Sequence, residues 1–145
     1  MIPKRVVLDT NVCLDLFVFR DPRWATLDAA LRSGAIEAVT RTDCRMEWLA
    51  VLQYEHLPLD ASSRAEAVAA FDAVIRCVEG TDAAPAGIRL PLCSDPDDQK
   101  FLEAALAERA GVLITKDKAL LKLARKTARA GLFRILPPQD WRLEE

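Results

Sequence analysis

The chain has 145 residues and a formal net charge of −2, and 51% of its residues are hydrophobic while 29% are charged. This balance is typical of a soluble globular protein and predicts a single domain over residues 1–145, with its core over about 5–137. The near-neutral charge excludes a basic field over the whole molecule, so a nucleic-acid partner would need a local basic patch.

Neither a targeting segment nor a membrane span is expected. An apolar run begins at Arg5, which leaves no room for a signal peptide, and no run approaches the roughly 18 apolar residues that a span needs. The four cysteines form no closely spaced pair and fit reduced, structural thiols. We therefore expect a cytoplasmic protein that has no membrane partner.

Apolar runs separated by capping residues, glycine and proline define the predicted elements. In chain order they are a strand over 5–8, helices over 12–19 and 22–32, a strand over 36–40, helices over 42–54 and 61–78, a connector over 80–91, a helix from about 95 to 111, a strand over 112–115, a helix over 117–129 and a strand over 133–136. This alternation predicts the α/β class, as a three-layer α/β/α domain with a four- to five-stranded, mainly parallel sheet.

Acidic residues lie where predicted strands end or along the inner faces of helices. Asp9 and Asp117 follow two apolar strands, and ligands of parallel sheets bind beyond such carboxyl ends. Glu47 and Asp98 border the apolar faces of their helices. Crowded carboxylates are costly unless a positive charge compensates them, so a convergence of these four acids suggests a divalent cation.

Other catalytic arrangements lack their residues. His56 is the one histidine, and no glycine-rich phosphate loop, serine nucleophile elbow or zinc-ligand spacing is present. All-oxygen ligation remains, and it suits Mg²⁺ or Mn²⁺. Such an ion would activate water and stabilise the charge on a phosphodiester.

Four segments, in order, resemble the four motifs of the PIN domain family. They are Val6-Val7-Leu8-Asp9-Thr10-Asn11, the helix that carries Glu47, Asp95-Pro96-Asp97-Asp98-Gln99-Lys100, and Leu113-Ile114-Thr115-Lys116-Asp117. The resemblance covers nearly the whole chain and is closest to small bacterial VapC-like proteins, the toxin components of toxin–antitoxin pairs.

The resemblance implies a ribonuclease that uses Mg²⁺ or Mn²⁺. It implies that Asp9, Glu47, Asp98 and Asp117 are the catalytic and metal-binding acids, with Asp95 as a further acid and with Asn11 and Thr115 as supporting polar residues. It also implies RNA as the substrate and a cognate antitoxin protein as a partner, and it leaves a homodimer open.

Several of these acids have a simpler structural role available. Asp9 and Asp117 each precede a helix and fit helix caps. Asp95, followed by Pro96, is also a natural cap, and Asp97 is expected to face solvent. The sequence leaves capping and metal binding open at these positions.

Basic residues recur along the predicted helix that begins beside Asp117. They are Lys118, Lys122, Arg125, Lys126 and Arg129, which would form a stripe on one helix. The stripe predicts either a solvated helix face or a track for RNA phosphates.

Two other functions stay open at this point. A PIN-like fold can serve as a catalytically silent module that binds RNA or protein. A phosphatase with a phosphoaspartyl intermediate is a further alternative, although its usual Asp-x-Asp pattern is not met because position 11 is Asn.

Overall fold

The computed structural model describes residues 4–79 and 87–143. The strands are β1 (Lys4–Leu8), β2 (Ile36–Arg41), β3 (Ile75–Val78), β4 (Val112–Ile114) and β5 (Arg134–Leu136). The helices are α1 (Thr10–Phe17), α2 (Ala25–Ser33), α3 (Thr42–Val51), α4 (Ala61–Val74), α5 (Gln99–Ala107), α6 (Lys118–Leu121) and α7 (Ala124–Arg129). Short 3₁₀ turns occupy Pro22–Trp24, Pro96–Asp98 and Pro138–Asp140.

The strands form one parallel sheet in the order β3-β2-β1-β4-β5. β1 lies at its centre, where Val6 is opposite Ala38 of β2 on one side and Val112 of β4 on the other. Since all pairs are parallel, the carboxyl ends of β1, β2 and β4 share one edge of the sheet. The predicted α/β class is confirmed, with five strands.

Alternate residues of β1 pack into different hydrophobic clusters, because successive side chains of a strand point to opposite faces. Val6 and Leu8 pack with Phe17 of α1 and Trp48 of α3, whereas Val7 packs with residues of the second cluster, which includes Phe101 of α5. The clusters cover both faces of the sheet, which gives the predicted three layers.

Most predicted helices differ from the observed ones only near their ends, but two differ by more than that. The helix expected over 61–78 ends at Val74, and Ile75–Val78 forms β3 instead, because β-branched residues there pair with β2. The helix expected over 117–129 is interrupted between α6 and α7. Of the predicted connector over 80–91, residues 80–86 lie outside the described part of the chain.

All four cysteines are free, as expected for reduced thiols. Cys13, Cys44 and Cys93 are buried in the two clusters, whereas Cys77 on β3 is exposed. Within the described ranges, no helix combines the length and the apolar character that a membrane crossing requires.

Candidate functional site

Parallel strand pairing brings the loops after β1 and β4 together. The backbone N–H of Asp9, directly after β1, donates to the carbonyl of Ile114, the last residue of β4, at 3.0 Å. The backbone N–H of Thr115 in turn donates to the carbonyl of Leu136, the last residue of β5, at 3.0 Å. Asp9 and Thr115 are therefore neighbours at the carboxyl edge of the sheet.

Three acids at this edge form what we call the carboxylate group. Asp95, Asp98 and Asp117 each place one carboxylate oxygen within 4.8 Å of the others. Asp95 is exposed, Asp117 is half-buried, and Asp98 is only 7% exposed. Among the described residues, this is the set of acids whose geometry suits a shared cation.

Asp98 is the member of the carboxylate group whose charge is least balanced. Its buried Oδ2 has no hydrogen-bond partner. Burial, the adjoining Asp117 carboxyl and the charges of Asp9, Asp117 and Asp95 all raise the pKa of Asp98 well above its ordinary value. A proton or a metal ion at this carboxyl would relieve the same cost.

Asp9 lies beside the carboxylate group with both of its oxygens occupied. The Thr10 backbone N–H donates to Oδ1 and the Thr115 hydroxyl donates to Oδ2, each at 2.6 Å. The pKa of Asp9 is raised to about 6, mainly by burial and to a smaller extent by the charges of Glu47 and Asp117, while the two hydrogen bonds act in the opposite direction. Asp9 is thus fixed in orientation and close enough to the other acids to feel their charge.

Thr115 connects Asp9 to Asp117. Its side chain is fully buried, its hydroxyl donates to Asp9, and the same oxygen accepts from the backbone N–H of Asp117 at 2.9 Å. Asn11 contacts the same loop, because its side-chain oxygen accepts from the Lys116 backbone N–H at 3.4 Å. The two residues predicted to support the site therefore hold the loop that carries Asp117.

Glu47 lies outside the carboxylate group. Its Oε1 accepts from Lys100 Nζ at 2.9 Å, and its Oε2 accepts from the Thr10 hydroxyl. We refer to the first contact as the Glu47–Lys100 pair. The structure thus brings Glu47 toward Asp9 through Thr10, but it does not place Glu47 among the three grouped oxygens.

The predicted caps are also present. The carboxylate of Asp95 accepts from the Asp97 backbone N–H at 3.0 Å, and that of Asp117 accepts from the Ala119 backbone N–H at 2.8 Å. Asp9 caps α1. Asp97 is exposed, as expected. Capping uses one oxygen of Asp95 and one of Asp117, so it leaves the other oxygen of each for another ligand.

The predicted basic stripe does not lie on one helix, because α6 ends at Leu121 and α7 begins at Ala124. The five cations of the stripe are Lys118, Lys122, Arg125, Lys126 and Arg129. All five are exposed, and none forms an ion pair with another described residue. They lie within the segment 118–129 that directly follows Asp117, and their charges are available to a polyanion.

Sequence patterns alone did not select Lys100, Thr10 or Asp15 as site residues. Lys116, next to Asp117, forms an ion pair with the buried Asp15 at 2.8 Å, and Trp24 Nε1 donates to the same carboxylate oxygen at 3.0 Å. An open cleft beside this contact is lined by Trp24 and Lys116. The one signal for Lys100 was its place in the segment that carries Asp98.

A family model described as PIN domain matches residues 5–119. The chain belongs to the PIN domain family. The matched segment includes Asp9, Glu47, Asp98 and Asp117, and it ends within α6, before most of the basic residues. PIN domains are generally nucleases that use a divalent metal ion.

The PIN fold is also found by comparison with solved structures. The chain is similar to a chain in the crystal structure of VapBC2 from Rickettsia felis bound to a DNA fragment from their promoter, with a TM-score of 0.57 and 12% sequence identity. The alignment covers 90% of this chain and 96% of that one, and it establishes a common fold. No curated protein sequence matches the chain.

Proposed function

We propose that this PIN domain is an endoribonuclease that depends on Mg²⁺ or Mn²⁺ and acts as the toxin of a toxin–antitoxin pair. The observation that supports it most is the carboxylate group, in which Asp98 keeps a buried oxygen without a partner. Burying an unpartnered carboxylate oxygen is costly, so its presence next to two further acids indicates a site shaped for a cation.

The residues present fit a hard divalent ion. The donors offered are all carboxylate oxygens, which Mg²⁺ and Mn²⁺ prefer, and neither histidine nor cysteine is part of the group. In this proposal Asp98 and Asp117 hold the ion with Asp95, while Asp9 adds negative charge beside them. When bound, such an ion activates water and stabilises charge on a phosphodiester.

The surrounding residues keep these acids in place. The Thr115 hydroxyl orients Asp9, and its contact with the Asp117 backbone N–H fixes the start of α6. The backbone N–H groups that bind Asp95 and Asp117 restrict the rotamers of both carboxylates. Rigid acids raise cation affinity because little side-chain entropy is lost on binding.

The substrate class is RNA in this proposal, and the exposed cations after Asp117 are its binding surface. With a net charge of −2, the chain attracts a polyanion only where basic residues are concentrated. The run from Lys118 to Arg129 provides this concentration and begins one residue after a proposed metal ligand.

The direct test is cleavage of a mixed set of RNAs by the purified chain in Mn²⁺, in Mg²⁺ and in EDTA. We expect cleavage in either metal, none in EDTA, and loss of cleavage in Asp98→Asn. Products should carry 5′-phosphate and 3′-hydroxyl ends. Products with 2′,3′-cyclic phosphate would contradict the mechanism, because they arise from attack by the RNA's own 2′-hydroxyl.

A separate experiment tests the toxin role. Induced expression of the chain should arrest growth, Asp98→Asn should not, and the product of a neighbouring gene should restore growth and co-purify with the chain. A toxin that acts on cellular RNA would work in the cytoplasm. Light scattering of the purified chain tests separately whether it forms a homodimer. Growth that continues despite cleavage in vitro would contradict the toxin role alone.

A further inference from the structure

Glu47 is the one predicted site acid whose two oxygens are both held by side chains of other helices. Lys100 Nζ from α5 donates to Oε1 at 2.9 Å, and the Thr10 hydroxyl from α1 donates to Oε2. Glu47 itself belongs to α3. Three helices therefore converge on this one carboxylate.

Lys100 is well fixed at the other end of the contact. Its ammonium group also donates to the Asp97 carbonyl and lies 5.4 Å from the centre of the Phe101 ring, and its side chain is only 18% exposed. Among residues 4–79 and 87–143, Lys100 is the only cation that forms an ion pair with a predicted site acid.

The carboxylate group has no such counter-ion, because no ion pair of the described residues includes Asp95, Asp98 or Asp117. A cation is attracted mainly by charge that is not already balanced nearby. The charge of Glu47 is already balanced by Lys100, so Glu47 should attract a metal ion less than the unpaired acids do.

We propose that Lys100 is a positioning residue that holds Glu47 as a charge-neutral pair beside the carboxylate group, outside the oxygens that bind the metal ion. This inference rests on the proposed metal-dependent function and refines the role of one acid in it. Glu47 then contributes to cleavage from this fixed position, without binding the ion. Lys100 limits how tightly the site binds the ion.

Removing the charge of Lys100 should change metal affinity and turnover in opposite directions. Replacing Lys100 by Met leaves the Glu47 charge unbalanced, so Mn²⁺ should bind about 3- to 10-fold more tightly. The same variant no longer holds Glu47, so kcat at saturating Mn²⁺ should fall about 10-fold. A lysine that only stabilised the fold would not tighten metal binding.

Calorimetric titration of the full chain with Mn²⁺ alone tests this through a pair of complementary substitutions. Glu47→Gln should weaken binding about 3- to 10-fold because Lys100 is then unbalanced. The double variant Lys100→Met/Glu47→Gln replaces one neutral pair by another, so its affinity should return to within about 2-fold of wild type.

Two single variants serve as controls. Arg45→Met removes a cation from the same helix as Glu47, where Arg45 pairs with Asp72 at 2.8 Å, and should leave Mn²⁺ affinity within about 2-fold. Lys100→Arg keeps the charge and should likewise stay within about 2-fold.

Each result decides between the possibilities. A double variant that binds Mn²⁺ more than about 30-fold less tightly than wild type would make Glu47 a direct ligand and overturn the inference alone. Mn²⁺ binding by Lys100→Met that is unchanged or weaker than that of wild type would also overturn the inference alone. If Lys100→Met does not fold, a loss beyond about 30-fold in Glu47→Gln overturns it and a smaller loss supports it. A wild-type chain that binds no Mn²⁺ would overturn the proposed metal site and this inference together.

Discussion

The carboxylate group and the Glu47–Lys100 pair lie near each other, yet their charges are balanced differently. Asp98 is buried with one oxygen unpartnered and has a raised pKa, whereas Glu47 has a partner on each oxygen. The first arrangement is strained until a proton or cation arrives, and the second is already satisfied. Acids that belong to the same family motifs can therefore have different roles in one site.

The largest expected effect comes from removing the charge of Asp98. Asp98→Asn should reduce RNA cleavage by about 1,000-fold, which corresponds to about 4 kcal/mol, because the metal ion loses its most buried ligand. Thermal unfolding with and without Mn²⁺ checks binding separately, since a ligand that binds the native state raises Tm. A Mn²⁺-induced rise in Tm that persists in Asp98→Asn would contradict the assignment.

The comparison also predicts a pH dependence of the metal-free protein. Because the folded-state pKa values of Asp9 and Asp98 lie above the unfolded value, the folded state binds more protons, and stability falls as pH rises through these pKa values. For Asp9, a shift from 3.8 to about 6 corresponds to about 3 kcal/mol.

Urea unfolding of Asp98→Asn against wild type isolates the contribution of Asp98. The free energy of unfolding of the variant relative to wild type should rise by about 1–3 kcal/mol from pH 5 to pH 9, because only wild type must ionise the buried carboxyl of Asp98, whereas Asp9 ionises in both. Saturating Mn²⁺ should reverse this difference by stabilising wild type. A relative stability that stays constant with pH would show that Asp98 is not strained.

The fold could be predicted where local pattern and tertiary packing agree. The apolar run that ends at Asp9 forms a strand, as predicted, and its apolar residues are buried because it pairs in parallel with a strand on each side. Ile75–Val78 could not be predicted in the same way, since its helical spacing is compatible with a helix and only pairing with β2 makes it a strand.

The site could be predicted only in part for a similar reason. Burial of Asp98 and the position of Asp9 follow from local motifs and from strand order. The contact of Lys100 with Glu47 joins residues 53 positions apart, and no local pattern specifies which acid a lysine meets. The sequence therefore indicated which acids surround this edge of the sheet, but neither which three of them form the carboxylate group nor how their charges are balanced.

After Asp98→Asn, the substitution that should reduce RNA cleavage most is Thr115→Val. Valine has nearly the same shape, but it removes the donor to Asp9 and the acceptor for the Asp117 backbone N–H in a fully buried position. The free energy of unfolding should fall by about 1–3 kcal/mol, measured by urea unfolding. Cleavage should fall about 10- to 100-fold, because both acids lose their orientation. Unchanged cleavage would show that the loop does not depend on Thr115.

Thr10→Val provides the matched change on the other side of the comparison, and its effect should be the smallest. The Thr10 backbone N–H still donates to Asp9, and Glu47 keeps its contact with Lys100, so only the hydroxyl contact to Oε2 is lost. We expect the free energy of unfolding to fall by about 0.5–1 kcal/mol and cleavage to fall by a few-fold. If Thr10→Val reduced cleavage as much as Thr115→Val, the position of Glu47 would depend on Thr10 more than on Lys100. The carboxylate group and the Glu47–Lys100 pair would then not differ in the way described above.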